Sequence, residues 1–285
     1  MRVTINENEL EVEVLGEAGA PVLIAHHGAP GLGSRAEPRA SFGRLADTFS
    51  VVVFDARGSG SSQGRPPFTH EQWAADVEGL RQWIGAERFV MAGGSYGGFI
   101  AMEYAIRHPE RLSALVLRDT APDHDSEEAA RRNAESSTRV RVELDKLRRI
   151  NEGRVRDNAD LEDCWREILP LYDFDYDPDA VEAKARATTY RYETHNFAFS
   201  VNVPHYDIKD QLQRVTCPVL VTVGRHDWIT PVEASERIVS ALPDARLVMF
   251  ERSGHSPQIE EADVWERTVR EFLHDVGADR NPAAA

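Results

Sequence analysis

Two short runs near the start, residues 2–5 and 9–15, alternate apolar and polar positions. That period predicts two half-buried strands joined at Asn6–Asn8 as an edge hairpin. Pro21–Ala25 (PVLIA) and Ser50–Phe54 (SVVVF) are instead continuously apolar and rich in β-branched residues, the pattern of parallel strands covered on both faces. Helical spacing around Phe42–Phe49 lies between them. A helix near Glu71–Ile84, a strand at Arg88–Ala92, a helix over Gly97–Arg107 and a strand at Ser113–Leu117 follow, an alternating βα series.

The series breaks near Ala121, where charged, helix-favouring residues take over and run to about Asn202. It resumes with a strand at Pro218–Val223, a helix over Glu233–Leu242, a strand at Arg246–Phe250 and a helix over Asp263–Val276. The prediction is one α/β core, residues 1–121 and 203–285, whose mostly parallel eight-stranded sheet is flanked by helices and interrupted by a helical cap over 122–202. The closing ADRNPAAA reads as a frayed tail.

Composition narrows the function classes. The 285-residue chain carries 33 basic and 48 acidic residues, a formal charge of -15, so nucleic acid and anionic membrane surfaces are repelled on average. A cationic amine substrate fits that balance. The two cysteines, Cys164 and Cys217, are too isolated for a disulfide framework or a zinc site. No signal-peptide pattern and no run near the roughly 18 apolar residues of a membrane span occur. A soluble cytoplasmic protein is expected, with no metal or organic cofactor; the oligomeric state is left open.

Gly93-Gly94-Ser95-Tyr96-Gly97 matches G-x-S-x-G directly between the strand FVMAG and the helix GGFIAMEYAIRH. The glycines permit a sharp strand-to-helix turn that leaves the Ser95 hydroxyl exposed. The helix N-terminus then offers the Tyr96 N–H to a developing oxyanion. Serine needs a base, and the base needs an orienting acid. Asp227 follows the strand PVLVTV and His255 follows ARLVMF, both at carboxyl ends of late strands, where open α/β sheets gather active residues. The order Ser95, Asp227, His255 is that of the α/β-hydrolase fold. His226 adjoins the acid but lacks the order and loop position of a base.

Beyond these motifs the chain resembles the proline iminopeptidases. Their H-G-G-P-G is met by His27, Gly28, Pro30 and Gly31, with Ala29 in place of the second glycine, and G-G-S-[WY]-G-G is matched in full by Gly93–Gly98. Asp55–Ser62 is similar to their D-x-R-G-x-G-x-S loop and Gly224–Asp227 to their G-R-x-D. Asp55 and Arg57 read as loop-fixing residues. The resemblance implies an oxyanion hole from the Ala29 and Tyr96 N–H groups. It also implies an amine-anchoring cap glutamate: Glu193, in a segment similar to E-x-H-[Y]-F with Asn196 for tyrosine, and as a second anchor Glu167 near Trp165.

The implied activity is a serine aminopeptidase or amidohydrolase that releases an N-terminal prolyl or small residue such as alanyl. Its partner would be a short peptide or aminoacyl amide with a free amino terminus. Some similar enzymes remove an aminoacyl group from macrolactam intermediates, so a tailoring role in secondary metabolism stands beside peptide hydrolysis. A carboxylesterase or lactonase would use the same triad without a cap carboxylate. A catalytically dead receptor would not need all three triad residues.

Overall fold

The computed structural model describes residues 1–280. Among them, eight strands form one sheet in the order β1-β2-β4-β3-β5-β6-β7-β8. β1 (Arg2–Ile5) and β2 (Asn8–Leu15) are the antiparallel edge hairpin. Its two-residue turn puts Asn6 and Glu7 at φ 47° and 59°, the positive values a tight hairpin requires. β2 runs antiparallel to β4 (Ser50–Phe54). β3 (Val22–His26), β5 (Phe89–Gly94), β6 (Leu112–Arg118), β7 (Val219–Gly224) and β8 (Ala245–Phe250) complete a parallel array with β4.

Successive residues of a central strand enter different cores, which is why these runs are apolar throughout. Ile24 and Val52 pack with Trp73, Val77 and Ile100 on one face. Leu23, Val51 and Val53 pack with Trp265 and Phe272 on the other. The first face is covered by α2 (His70–Ile84) and α3 (Tyr96–Arg107). α2 starts where the Thr69 hydroxyl accepts the Gln72 N–H at 3.2 Å and stops at Gly85, φ 76°, a polar cap and a left-handed stop. The helix expected around Phe42–Phe49 is displaced: α1 spans Ala36–Ser41, and the apolar spacing belongs to a 3-10 turn over Phe42–Leu45.

The segment between β6 and β7 forms α4 (Glu127–Glu135), α5 (Leu144–Asn151), α6 (Asn158–Ile168), α7 (Pro178–Ala187) and α8 (Tyr192–Phe197). They enclose an apolar cluster of their own, including Leu147, Ile150, Leu161 and Trp165, which Leu32 and Trp228 join from the sheet side. The outgoing and returning chains meet at a bridge between Asp123 and Asp207. Arg237 grips both carboxylate oxygens of Asp123 at 2.9 Å, tying this neck to α9 (Val232–Ala241).

α10 (Pro257–Glu260) and α11 (Ala262–Asp275) close the fold. The frayed tail is corrected at its start: Ala278 is buried against the second core, and its N–H donates to the Leu273 carbonyl at 2.9 Å. The rest of that expectation, residues 281–285, lies outside the described residues. No helix among those described is long and apolar enough to cross a membrane.

Candidate active site

Ser95 caps the N-terminus of α3 at φ 55°, ψ -127°, a conformation that costs a non-glycine residue on the order of 1–3 kcal/mol. The neighbouring backbone holds it there. The Ser95 N–H donates to the Arg118 carbonyl at 2.9 Å, while its own carbonyl accepts the Gly98 N–H at 2.9 Å and the Thr120 hydroxyl at 2.8 Å. The glycines are explained by contact: a Cβ on Gly93 would lie 2.2 Å from the Gly97 carbonyl oxygen, and one on Gly97 would lie 2.5 Å from that of His26.

Asp227 and His255 arrive from the loops after β7 and β8. His255 Nδ1 lies 2.8 Å from Asp227 Oδ2, with both residues buried. Asp227 Oδ2 also accepts the Thr230 hydroxyl at 2.7 Å, and Oδ1 accepts the Ile229 and Thr230 N–H groups at 2.9 and 3.1 Å. Burial pushes this carboxyl's pKa up, but the His255 ring and these donors more than offset it, and the net shift is downward. An ionised Asp227 therefore directs the His255 proton to Nδ1 and leaves Nε2 as the basic lone pair. Nε2 is buried and accepts no hydrogen bond in this structure. Catalytic hydrogen bonds are often long or poorly aligned in unliganded sites.

A second carboxylate, absent from the sequence reading, joins this pair. Asp119 follows β6, is fully buried at φ 45°, and brings an oxygen within 4.8 Å of ligand atoms of Asp227 and His255. That spacing would also suit a cation, yet every oxygen already has a donor. Asp119 Oδ1 accepts the Gly224 N–H at 2.9 Å and Oδ2 lies 3.3 Å from Arg118 Nη1. Burial, then the Asp227 charge, raise the Asp119 pKa from 3.8 to about 7. The two acids thus divide their roles, Asp227 holding the charge and Asp119 tending to hold a proton.

The sign for stability follows. Between about pH 4 and 7 folded Asp119 keeps a proton that the unfolded chain has lost, so its contribution falls as pH rises through that window. Asp119→Asn keeps an acceptor for Gly224 and removes the titration. Its stability relative to the parent should rise from pH 4 to 8, as read by urea unfolding at each pH; a pH-independent difference would rule the titration out.

The loop after β3 lies against the nucleophile: a Cβ on Gly28 would be 3.0 Å from Ser95 Cβ. Ala29 stands at φ 47°, the left-handed region where glycine carries no penalty and alanine does. Its carbonyl closes the turn by accepting the Leu32 and Gly33 N–H groups at 2.9 and 2.7 Å, and its own N–H donates to no protein acceptor among the described residues. Tyr96 opens α3, where an N–H has no intrahelical partner. Its buried hydroxyl is fixed by His70 at 2.7 Å and Asn202 at 3.2 Å. Ala29, Ser95, Tyr96 and His255 all line one cavity of about 670 Å³ between sheet and cap, a volume typical of small-molecule sites.

A family model described as alpha/beta hydrolase fold matches residues 21–262. The chain belongs to that family. This α/β-hydrolase is 33% identical to a proline iminopeptidase of Pestalotiopsis fici, over 95% of this chain and 98% of that one. It is 25% identical to a proline iminopeptidase of Saccharolobus solfataricus, over 89% and 85%. Among solved structures, a thermophilic esterase from Thermogutta terrifontis superposes with a TM-score of 0.75 at 29% identity, covering 97% and 98%. An enol-lactonase from Burkholderia xenovorans superposes at 0.79 with 22% identity, covering 96% and 100%, a likeness of fold alone. The chain is thus a proline iminopeptidase-like serine hydrolase.

The two cap glutamates expected to anchor an amine are not brought to this cavity. Glu193 is exposed on α8 and absent from the cavity wall. Its E-x-H-x-F segment packs the cap instead: His195 Nε2 contacts the Ile150 carbonyl at 2.9 Å, and the Asn196 amide pairs with both backbone groups of Val155 at 2.7 and 3.2 Å. Glu167 is also missing from the wall; it accepts the Glu143 N–H at 2.8 Å beside Lys146. Asp55 and Arg57 fix loops as read. Asp55 binds the Arg35 and Ser61 N–H groups at 2.7 and 2.8 Å, and Arg57 forms a buried two-point pair with Asp76 at 2.8 and 2.9 Å. His226 is exposed beside Phe174.

Proposed function

We propose that this hydrolase is a serine aminopeptidase that releases a prolyl or small N-terminal residue from a short peptide or aminoacyl amide through an acyl-enzyme. The observation that carries the reading is the buried His255–Asp227 pair at 2.8 Å on the same cavity as Ser95. His255 Nε2 takes the Ser95 proton as Oγ attacks the carbonyl carbon, the oxyanion is met by the Ala29 and Tyr96 N–H groups, and His255 returns the proton to the leaving amine. Water activated by the same histidine then frees the amino acid.

The amine requires a carboxylate, since a desolvated ammonium is costly without one. Five acids line the cavity: Glu37, Asp123, Glu127, Glu128 and Glu152. Four have cationic partners within 4.0 Å, namely Arg118, Arg237, Arg132 and Arg154 in the same order. Glu127, in the first turn of α4, has none among the described residues. Burial raises its pKa, with nearby His124 opposing the shift and Glu152 adding to it, and no Arg or Lys lies within ion-pair distance among the described residues. Glu127 therefore replaces Glu193 and Glu167 as the preferred anchor.

The test compares alanyl and N-acetylalanyl p-nitroanilides. Acetylation should cut kcat/KM by at least about 100-fold, and Glu127→Gln should raise KM for the free amine about 10- to 100-fold. Glu193→Gln should change neither by more than about twofold. The second reading is a carboxylesterase, favoured by the likeness to the Thermogutta esterase. Equal cleavage of both anilides would select it over the aminopeptidase.

A further inference from the structure

The cavity also contains a cation that catalysis does not use. Lys184, on α7 of the cap, lines it together with Arg118, Trp165 and Tyr172. Its side chain is exposed, and part of that surface faces the cavity. Desolvation lowers its pKa, with Asp173, Glu37 and Glu260 opposing and Arg118 adding to the shift. None of these carboxylates comes within 4.0 Å, so Lys184 has no ion pair among the described residues. Glu37 is engaged with Arg118 at 2.9 Å, and Glu260 with the Phe174 and Gly254 N–H groups. The Asp173 carboxyl is itself driven toward its neutral form by burial, which weakens it as a partner.

The position of Lys184 identifies the part of a substrate it would meet. Its ammonium stands 5.8 Å from the centre of the Tyr172 ring. That ring meets the His255 ring edge-on at 5.2 Å, and the Tyr172 carbonyl accepts the His255 N–H at 2.6 Å. One aromatic ring thus separates Lys184 from the base that must protonate the leaving atom. Trp165 meets the same ring at 5.2 Å, and its buried indole N–H has no acceptor. Two donors, one of them charged, thus lie around Tyr172 without a hydrogen-bond acceptor among the described residues.

We infer that Lys184 binds a carboxylate carried by the leaving group, so that the preferred substrates are dipeptides whose second residue ends in a free carboxylate. This rests on the aminopeptidase reading and extends it to the group that reading leaves open. A free α-carboxylate sits two bonds from the scissile nitrogen, and a long flexible ammonium one ring away from the base can extend toward it. An uncharged macrolactam amine would leave Lys184 unpaired. Only a carboxylate gives the ammonium a charge-assisted partner, and that difference makes the contact selective.

The test compares alanyl-glycine, alanyl-glycinamide and alanyl p-nitroanilide. The parent enzyme should favour the acid over the amide in kcat/KM by about 10- to 100-fold, the range of a charge-assisted hydrogen bond. Lys184→Gln should bring that ratio close to one, and Lys184→Arg should restore part of it. A parent ratio near one, or a ratio unmoved by Lys184→Gln, would overturn the assignment. Cleavage of the anilide is the separate control: if it fails, the aminopeptidase reading is lost, whereas anilide cleavage without acid–amide selectivity removes only the role of Lys184.

Discussion

Ser95→Ala is expected to lower kcat for anilide or ester hydrolysis by about 10⁵- to 10⁶-fold, since removal of a nucleophile that acts as a unit with its base forfeits nearly the whole chemical advantage. The substitution is clean because the backbone, not the hydroxyl, holds the turn. Ser95 N–H bonds to the Arg118 carbonyl and the Ser95 carbonyl accepts from Gly98 and Thr120, and all three bonds survive in alanine. The strained φ of 55° is nearly as unfavourable for alanine as for serine, so the melting temperature should move by no more than about 2 °C. Fluorophosphonate labelling should vanish in parallel with activity. A folded variant retaining more than about 1% of parent activity would remove Ser95 from the mechanism.

The sheet was legible because its strands are buried on both faces, and an unbroken apolar run between glycine-rich turns has few other solutions. Ser95, Asp227 and His255 were legible for a related reason: each follows a strand whose carboxyl end the pattern already located. Asp119 occupies the same kind of position after β6. It could have been found by asking which acids follow every strand, not only the one that completes a triad.

The cap resisted sequence reading because its helices are short and amphipathic, and their rotation against the sheet is set by contacts far apart in the chain. Trp228 from the sheet side packs among Leu147, Leu161 and Trp165. Glu127 and Lys184 line the cavity and Glu193 does not, a difference no local period in the sequence marks. The histidine and asparagine of the motif around Glu193 bond to Ile150 and Val155, a packing role that the motif's spacing does not reveal. Its side chains secure the cap whatever the glutamate does.

Asp227→Asn is expected to cost about 10⁴-fold in kcat near pH 7, because an amide facing His255 Nδ1 favours the tautomer that puts the proton on Nε2, where it blocks attack. In this enzyme the loss should depend on Asp119. Its pKa is raised first by burial and then by the Asp227 charge, so removing that charge lets Asp119 ionise more readily while it still lies within 4.8 Å of His255. An ionised Asp119 would stabilise the imidazolium that forms as Ser95 attacks. Asp119→Asn alone should therefore change kcat by less than about tenfold, whereas adding it to Asp227→Asn should remove a further factor of about ten, a coupling measurable by a double-mutant cycle. The extra loss should grow from pH 6 to 8 as the carboxyl ionises in the single variant. If the double variant matches Asp227→Asn across that range, Asp119 contributes nothing to the base and only fills its place beside Gly224.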